Sequence, residues 1–349
     1  MPETPPTITV VTAMRNEGPF VLEWLAHHKA LGVTDAVVVT NDCDDGTDAL
    51  LDRLHEAGEV LHIRQEAGAT SVQWQALGLA QEESAVAEAD WCLVLDCDEF
   101  VNLRAPLATL GDLVTACPGP DAIALPWRIF GHSGHLAFSD EPVSRRFTRA
   151  ITEDALFPAA CRYVKTLARW RDGPFASLGI HRPRKKGGAA PVWYDGSGRR
   201  LPDAFAKDDK RILLMTPRIE TGFVQLNHYS LRSAEDFLVK RARGLANRTG
   251  KAIDATYWAE RNFNNVEDRS IARHAEATGS VLSRLRALPG VAEAHGDCVR
   301  RHRHRIAALL ADRKEAMLFS RLALLATSIP PGPDAARRLL KLIHAQSDE

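Results

Sequence analysis

The six cysteines of this chain form no C-x-x-C pair, so the sequence offers neither a disulfide framework nor a zinc knuckle. No apolar run approaches the roughly 20 residues that a membrane-crossing helix needs. The opening Met1-Pro2-Glu3-Thr4-Pro5-Pro6 lacks the basic and apolar regions of a secretory signal. The expectation is a cytoplasmic, reduced protein, in which the glycosylation-like Asn247-Arg248-Thr249 carries no weight. G-x-G-x-x-G and G-x-x-x-x-G-K-[ST] are both missing, which argues against a dinucleotide enzyme and a P-loop NTPase. Aromatic residues are only 7% of the chain, and none interleaves with the densest basic run, Arg300-Arg-His-Arg-His-Arg305. A nucleic-acid partner is therefore not expected.

The 349 residues are 45% hydrophobic with a net charge of -1, enough apolar material for a large folded core and too little charge for disorder. The balance hides a split. Residues 1–130 hold 6 Lys+Arg against 21 Asp+Glu, and the remainder holds 38 against 24. Such asymmetry suits a site where carboxylates hold a metal and basic groups meet phosphate, or a basic surface that meets a partner.

Strand patterns fall at 7–13, 36–40, 60–64, 91–95 and 121–129, with helical spacing at 19–31, 48–57 and 72–87. Alternation of this kind reads as an α/β fold, a Rossmann-like, mostly parallel sheet flanked by helices. Ser233 and Asp236 form a capping-box pattern opening a further helix. Beyond 266 the chain reads as a helical, arginine-rich C-terminal extension interrupted at Pro330-Pro331-Gly332-Pro333.

In parallel sheets ligands bind beyond the carboxyl ends of the strands. Arg15-Asn16-Glu17, Asn41-Asp-Cys-Asp-Asp-Gly46 and Asp96-Cys-Asp-Glu99 occupy those positions. Asp96 and Asp98 at a strand end can hold a hard divalent cation, which in turn bridges phosphate oxygens; two solvated surface acids are the alternative. The run from Asn41 fails as an EF-hand, because Cys43 and Asp52 fall where an oxygen ligand and a bidentate Glu are required. It reads instead as a strand-end turn facing a nucleoside or as a helix cap. Asp44, Asp45 and Glu99 add to the same acidic edge.

Six ordered segments carry a resemblance: Thr12-Ala-Met-Arg-Asn-Glu17, Glu23-Trp-Leu-Ala-His-His28 with Leu31-Gly-Val33, Asn41 to Thr47, Asp90 to Phe100, Phe130-Gly-His-Ser-Gly134 and Asn227-His-Tyr-Ser230. Together they resemble the bacterial family-2-type glycosyltransferases, over roughly residues 7 to 250. The resemblance implies a GT-A fold over 1–265, with 1–130 as the nucleotide-sugar half, 131–265 as the acceptor half and 266–349 as an extension. It implies an inverting hexosyl transfer from a nucleoside diphosphate sugar to a glycan, lipid-linked or protein acceptor, as in polysaccharide biosynthesis. Asp96, Asp98 and His228 would form the metal site, with Asp98 as the direct ligand; a histidine ligand favours manganese over magnesium. Arg15, Asn16, Glu17, Asn41, Asp42 and Asp96 would line the donor pocket.

Three groups compete as the base that deprotonates the acceptor hydroxyl: Asp236, whose capping role explains it equally well, Asp140 and Glu141. Lys165, Arg169, His181, Arg182 and Lys240 are candidates for a diphosphate clamp or for solvated surface. The C-terminal extension is expected to meet a partner or the inner face of a membrane. Alternatives to transfer are a non-catalytic nucleotide-sugar or glycan-binding module of the same fold, and a nucleotidyltransferase, for which the basic Gly-rich loop after the first strand is missing.

Overall fold

A computed structural model describes residues 5–66, 71–214, 220–244 and 253–347; the Asn247–Thr249 segment lies outside them. Nine strands form the main sheet: β1 (Ile8–Met14), β2 (Asp35–Thr40), β3 (Leu61–Arg64), β4 (Trp91–Val94), β5 (Glu99–Leu103), β6 (Ala122–Ile129), β7 (Val164–Arg169), β8 (Trp193–Tyr194) and β9 (Val224–His228). Their order is β3-β2-β1-β4-β7-β6-β9-β5, with β8 paired to β6. The first four run parallel, β7 is antiparallel to both of its neighbours, and β5 is antiparallel to β9. The expected class is what is found: a mostly parallel α/β sheet flanked by helices, with a helical C-terminal extension.

Burial explains the parallel half. In β1 all but Ala13 are buried, so both faces need apolar, β-branched side chains and the strand reads as a continuous apolar run. The helix Gly18–Ala30 follows, with Pro19 in its first turn and Gly32, at φ +90, just past its end. Pro fits where no amide donor is needed, and Gly tolerates the left-handed turn. Trp24, Leu25 and Leu31 pack beneath the sheet in the main core.

Three differences from the sequence reading have local causes. The expected helix 72–87 breaks into Val72–Gln81 and Ser84–Ala87 at Glu82-Glu83. β5 begins directly after Asp98, because the Asp96–Glu99 turn closes on itself with Glu99 N donating to Asp96 O at 3.0 Å. The extension does not start as helix at 266: Val266–Glu267 first pairs with Arg149–Ala150, and the helices Ala275–Arg286, Val291–Ala311 and Arg313–Leu324 follow. Val291 and Cys298 then join the main core.

Candidate active site

The carboxyl ends of β2, β1 and β4 lie side by side, so Asn41-Asp42, Arg15-Asn16-Glu17 and Asp96-x-Asp98 share one edge. Asn16 and Asp42 have φ of 52° and 46°, and Arg232 beside them has 56°. Asn and Asp tolerate this left-handed region; a non-glycine Arg there is uncommon and marks a constrained loop.

Trp24 holds the acidic turn, its indole Nε1 donating to Asp96 O and Glu99 O at 3.1 Å each. The two aspartates then diverge. Asp96 meets Gln73 Nε2 at 3.2 Å and Lys165 Nζ at 3.3 Å. Lys165, fully buried, also lies 3.2 Å from Glu99 Oε2, and that oxygen accepts from Asp96 N at 2.8 Å. Burial pushes the Glu99 carboxyl up to about 8, while Asp96 and Glu99 outweigh burial and hold Lys165 above the usual lysine range.

Asp98 turns the other way. Lys240 Nζ donates to its Oδ2 at 2.8 Å and to Ser230 O at 2.8 Å. His228 Nε2 stands 3.5 Å from Asp98 Oδ1, and its ring lies 4.1 Å from the Trp127 ring. Burial works against the Asp98 charge, yet Lys240 and then His228 hold this carboxyl well below the usual range. Burial outweighs the Asp98 carboxylate and lowers the His228 imidazole from its ordinary value. Next to them Glu17 is buried between Arg232, at 2.8 Å, and Arg243. Both arginines outweigh burial and keep its carboxyl ionised. Arg243 also donates to Arg15 O at 2.6 Å and Asn16 O at 3.0 Å, which ties the helix Ala234–Arg243 to the loop after β1.

Among the described residues no group of three His, Cys, Asp or Glu side chains converges. The expected trio is therefore a pair: Asp98 and His228 face each other at the spacing of two ligands on one ion, and Asp96 is committed to Lys165 and Gln73. Buried polar atoms without a partner occur on the pair and its neighbours, at His228 Nδ1, Ser230 Oγ and Arg232 Nε, and on the Asp96 flank, at Glu99 Oε1 and Gln73 Oε1. Such atoms mark places where ligand or water supplies the missing bonds. The pair fits a cation.

Other expected residues are placed elsewhere or differently. Asn16 is locked to Asp44, Nδ2 to Oδ1 at 2.7 Å. Asp45 accepts from Gly18 N and Thr47 N, so it serves as a cap. Asn41 donates to the exposed Asp42 at 3.1 Å. Arg182 leaves the donor edge: its guanidinium stacks on Trp193 at 4.2 Å and donates to the carbonyls of Phe205 and Arg211. Arg169 pairs with Asp121 at the opposite end of the sheet. His181 stacks on Trp127 and bonds to Val164 O.

None of the three candidate bases contacts Asp96, Asp98 or His228. Asp236 is buried in a capping box with Ser233 and accepts from His302 Nε2 at 2.9 Å. Asp140 pairs with His295 at 3.1 Å, and Glu141 accepts from Ser139. Trp24, Gln73, Arg232 and Arg243 were not singled out from the sequence. The one available signal for Arg232 and Arg243 was their position just after Asn227-His228, on and before a capped helix.

No family model matches the chain. Over 112 residues it is 29% identical to a glycosyltransferase family 92 protein of Ricinus communis, a match covering 30% of this chain and 19% of that protein. The chain thus spans about a fifth of that relative. Among solved structures, glucosyl-3-phosphoglycerate synthase from Mycobacterium tuberculosis with Mn2+, UDP and glucosyl-3-phosphoglycerate is 19% identical, with a TM-score of 0.26 over 35% of this chain and 44% of that one. A Bacillus anthracis protein described as a glucose-1-phosphate thymidylyltransferase, in complex with sucrose, is 13% identical, with a TM-score of 0.27 over 37% and 58%.

Proposed function

We propose that this protein is an inverting, metal-dependent GT-A glycosyltransferase that moves a hexose from a nucleoside diphosphate sugar to a hydroxyl of a glycan, lipid-linked or protein acceptor. The observation that carries the reading is the Asp98–His228 pair, flanked by Lys240, Arg232 and Arg243 at the carboxyl edge of the sheet. Asp98 and His228 would hold the cation, manganese in preference to magnesium, since imidazole suits the softer ion. When bound, such an ion neutralises charge on a leaving diphosphate.

The protein's own groups do the rest. Lys240 and the Arg232–Arg243 pair supply fixed positive charge where a diphosphate would sit, pre-oriented by Glu17 and by the carbonyls of Arg15 and Asn16. Asp96, Arg15, Asn16, Asn41 and Asp42 form the nucleoside side. Asp236 acts as a positioning residue, because its capping box fixes the helix that carries Lys240. The base is then sought at Asp140 and Glu141, and single Ala variants of each distinguish them by which one loses turnover while keeping donor affinity. The basic extension, where Leu324 and Ile329 are exposed, is a candidate for peripheral membrane or partner contact. No helix of the described residues is long and apolar enough to cross a membrane.

The test is Asp98→Asn, assayed for sugar transfer and for manganese binding by titration. Loss of about a thousandfold in turnover is expected, on the scale of removing one preorganised charge-stabilising group, together with weaker manganese binding and an unchanged fold. Full turnover by the variant, or activity indifferent to chelator, would sink the proposal. Donor binding without any turnover in the wild type would favour the non-catalytic module.

A further inference from the structure

One cleft lies away from this edge. It has a volume of about 870 Å3 and is polar, with Arg104, Arg128, Thr152, Thr221, Asp268 and Ser270 among its lining residues. Arg128 neighbours Trp127 in β6 and pairs with Asn227 rather than with His228. Successive strand residues point to opposite faces, so Trp127 stacks on His228 and Arg128 faces the other side of the sheet. The cleft is therefore separate from the Asp98–His228 pair.

Arg128 is the unusual member. It is 7% exposed, and no hydrogen bond or ion pair holds its side chain among the described residues. Its Nε is shut off from solvent without a partner, whereas the terminal nitrogens are not. Those nitrogens are the part of the side chain left to meet the cleft. A buried guanidinium without a direct partner is costly and is retained where something else completes it.

Asp268, Glu153 and the exposed Asp154 lie near enough to favour the charge of Arg128, but none of them comes within ion-pair distance of it, and all but Asp154 are engaged elsewhere. Asp268 accepts from Ser270 N at 3.0 Å and Gln225 Nε2 at 2.9 Å. Glu267 pairs with Arg269 at 2.9 Å, Glu220 pairs with Arg199 at 3.1 Å, and Glu153 also has a partner. Arg104 donates to Gln225 Oε1 at 2.5 Å and stands 4.0 Å from Asp268, a second cation beside the first. The unmet demand in the lining is for an acceptor that can take two guanidinium N–H groups at once.

We infer that this cleft is a second ligand site, in which Arg128, supported by Arg104, binds the planar or tetrahedral oxyanion of a small hydroxylated molecule. The guanidinium fork matches carboxylate and phosphate oxygens in bidentate fashion. Thr152, Thr221 and the engaged carboxylates offer partners to hydroxyl groups rather than to an apolar body. The site stands independently of the transfer reaction proposed above.

Titration calorimetry on the full chain tests it with two probes, inorganic phosphate and glycerate. The expected result is saturable binding of at least one probe, weakened roughly 10- to 100-fold in Arg128→Gln, the scale of a lost charged hydrogen bond. Asp98→Asn should leave that binding unchanged, which separates this site from the donor edge. Binding of phosphate alone assigns a phosphorylated ligand, and binding of glycerate alone a carboxylated one. Should Arg128→Gln fail to fold, Arg104→Gln, which removes the less buried member, should weaken binding several-fold with the fold intact. The inference is overturned if neither probe binds the wild type, or if a folded Arg128→Gln binds as well as the wild type.

Discussion

Asp96 and Asp98 are one residue apart, yet their surroundings are electrostatic opposites. On the Asp96 flank two carboxylates, Asp96 and Glu99, share the single ammonium of Lys165. On the Asp98 flank two carboxylates, Asp98 and Glu17, face Lys240, Arg232 and Arg243. An Asp-x-Asp pair at a strand end is thus not a symmetrical chelate. The turn sends one carboxylate toward the antiparallel strand β7 and the other toward β9 and the capped helix behind it. On the proposed function, the excess positive charge of the Asp98 flank would meet a diphosphate.

Replacing each lysine separates the two roles. Lys165→Met leaves the buried Glu99 and the partly exposed Asp96 without their shared ammonium, and a loss of about 3 kcal/mol of folding stability is expected. Denaturant unfolding measures it; an undiminished midpoint would contradict the structural role of this flank. Lys240→Met should keep the fold and lower turnover about a hundredfold, some 2.7 kcal/mol, with the loss read in steady-state kinetics. Equal loss of stability in both variants would erase the distinction.

The flanks should also differ in their response to pH. Glu99 has its folded value raised to about 8, so the stability it contributes is present below its unfolded value and is lost as pH rises through 8. Asp98 is lowered and Lys240 raised, so the other flank does not titrate in that window. Stability should therefore fall by on the order of 1 kcal/mol between pH 7 and 8, above the histidine range. Glu99→Gln should flatten this slope, as followed by thermal unfolding at each pH; an unchanged slope would place the titration elsewhere. The smallest effect is expected at the solvent-exposed Arg305–Asp44 pair of 2.6 Å, where Arg305→Ala should cost less than about 1 kcal/mol.

That last pair bears on the charge split between the acidic front and the basic remainder. Part of it is intramolecular: Arg284 pairs with Glu59, Arg305 with Asp44, and Lys240 with Asp98. The sequence showed both populations but not that they meet. It did show β1 to β4, the helix from Gly18, the capping box at Ser233 and the strand-end position of Asp96 and Asp98. These depend on local patterns of burial and capping. The places of Lys165, Arg182 and Arg169 were not legible, because all three are basic residues on or near short strands. Only the register of β7 sends Lys165 to the carboxyl edge of β4 and Arg169 to its amino end.

The sequence by itself determined the α/β class, the edge of the sheet where polar groups gather, and the candidate residues on it, because strand periodicity and the parallel crossover rule act locally. Tertiary structure alone decided which charges became partners. An ion pair forms across dozens or hundreds of residues of chain, as Lys240 does with Asp98 and Arg232 with Glu17, and its strength depends on burial and approach distances that no spacing in the sequence records.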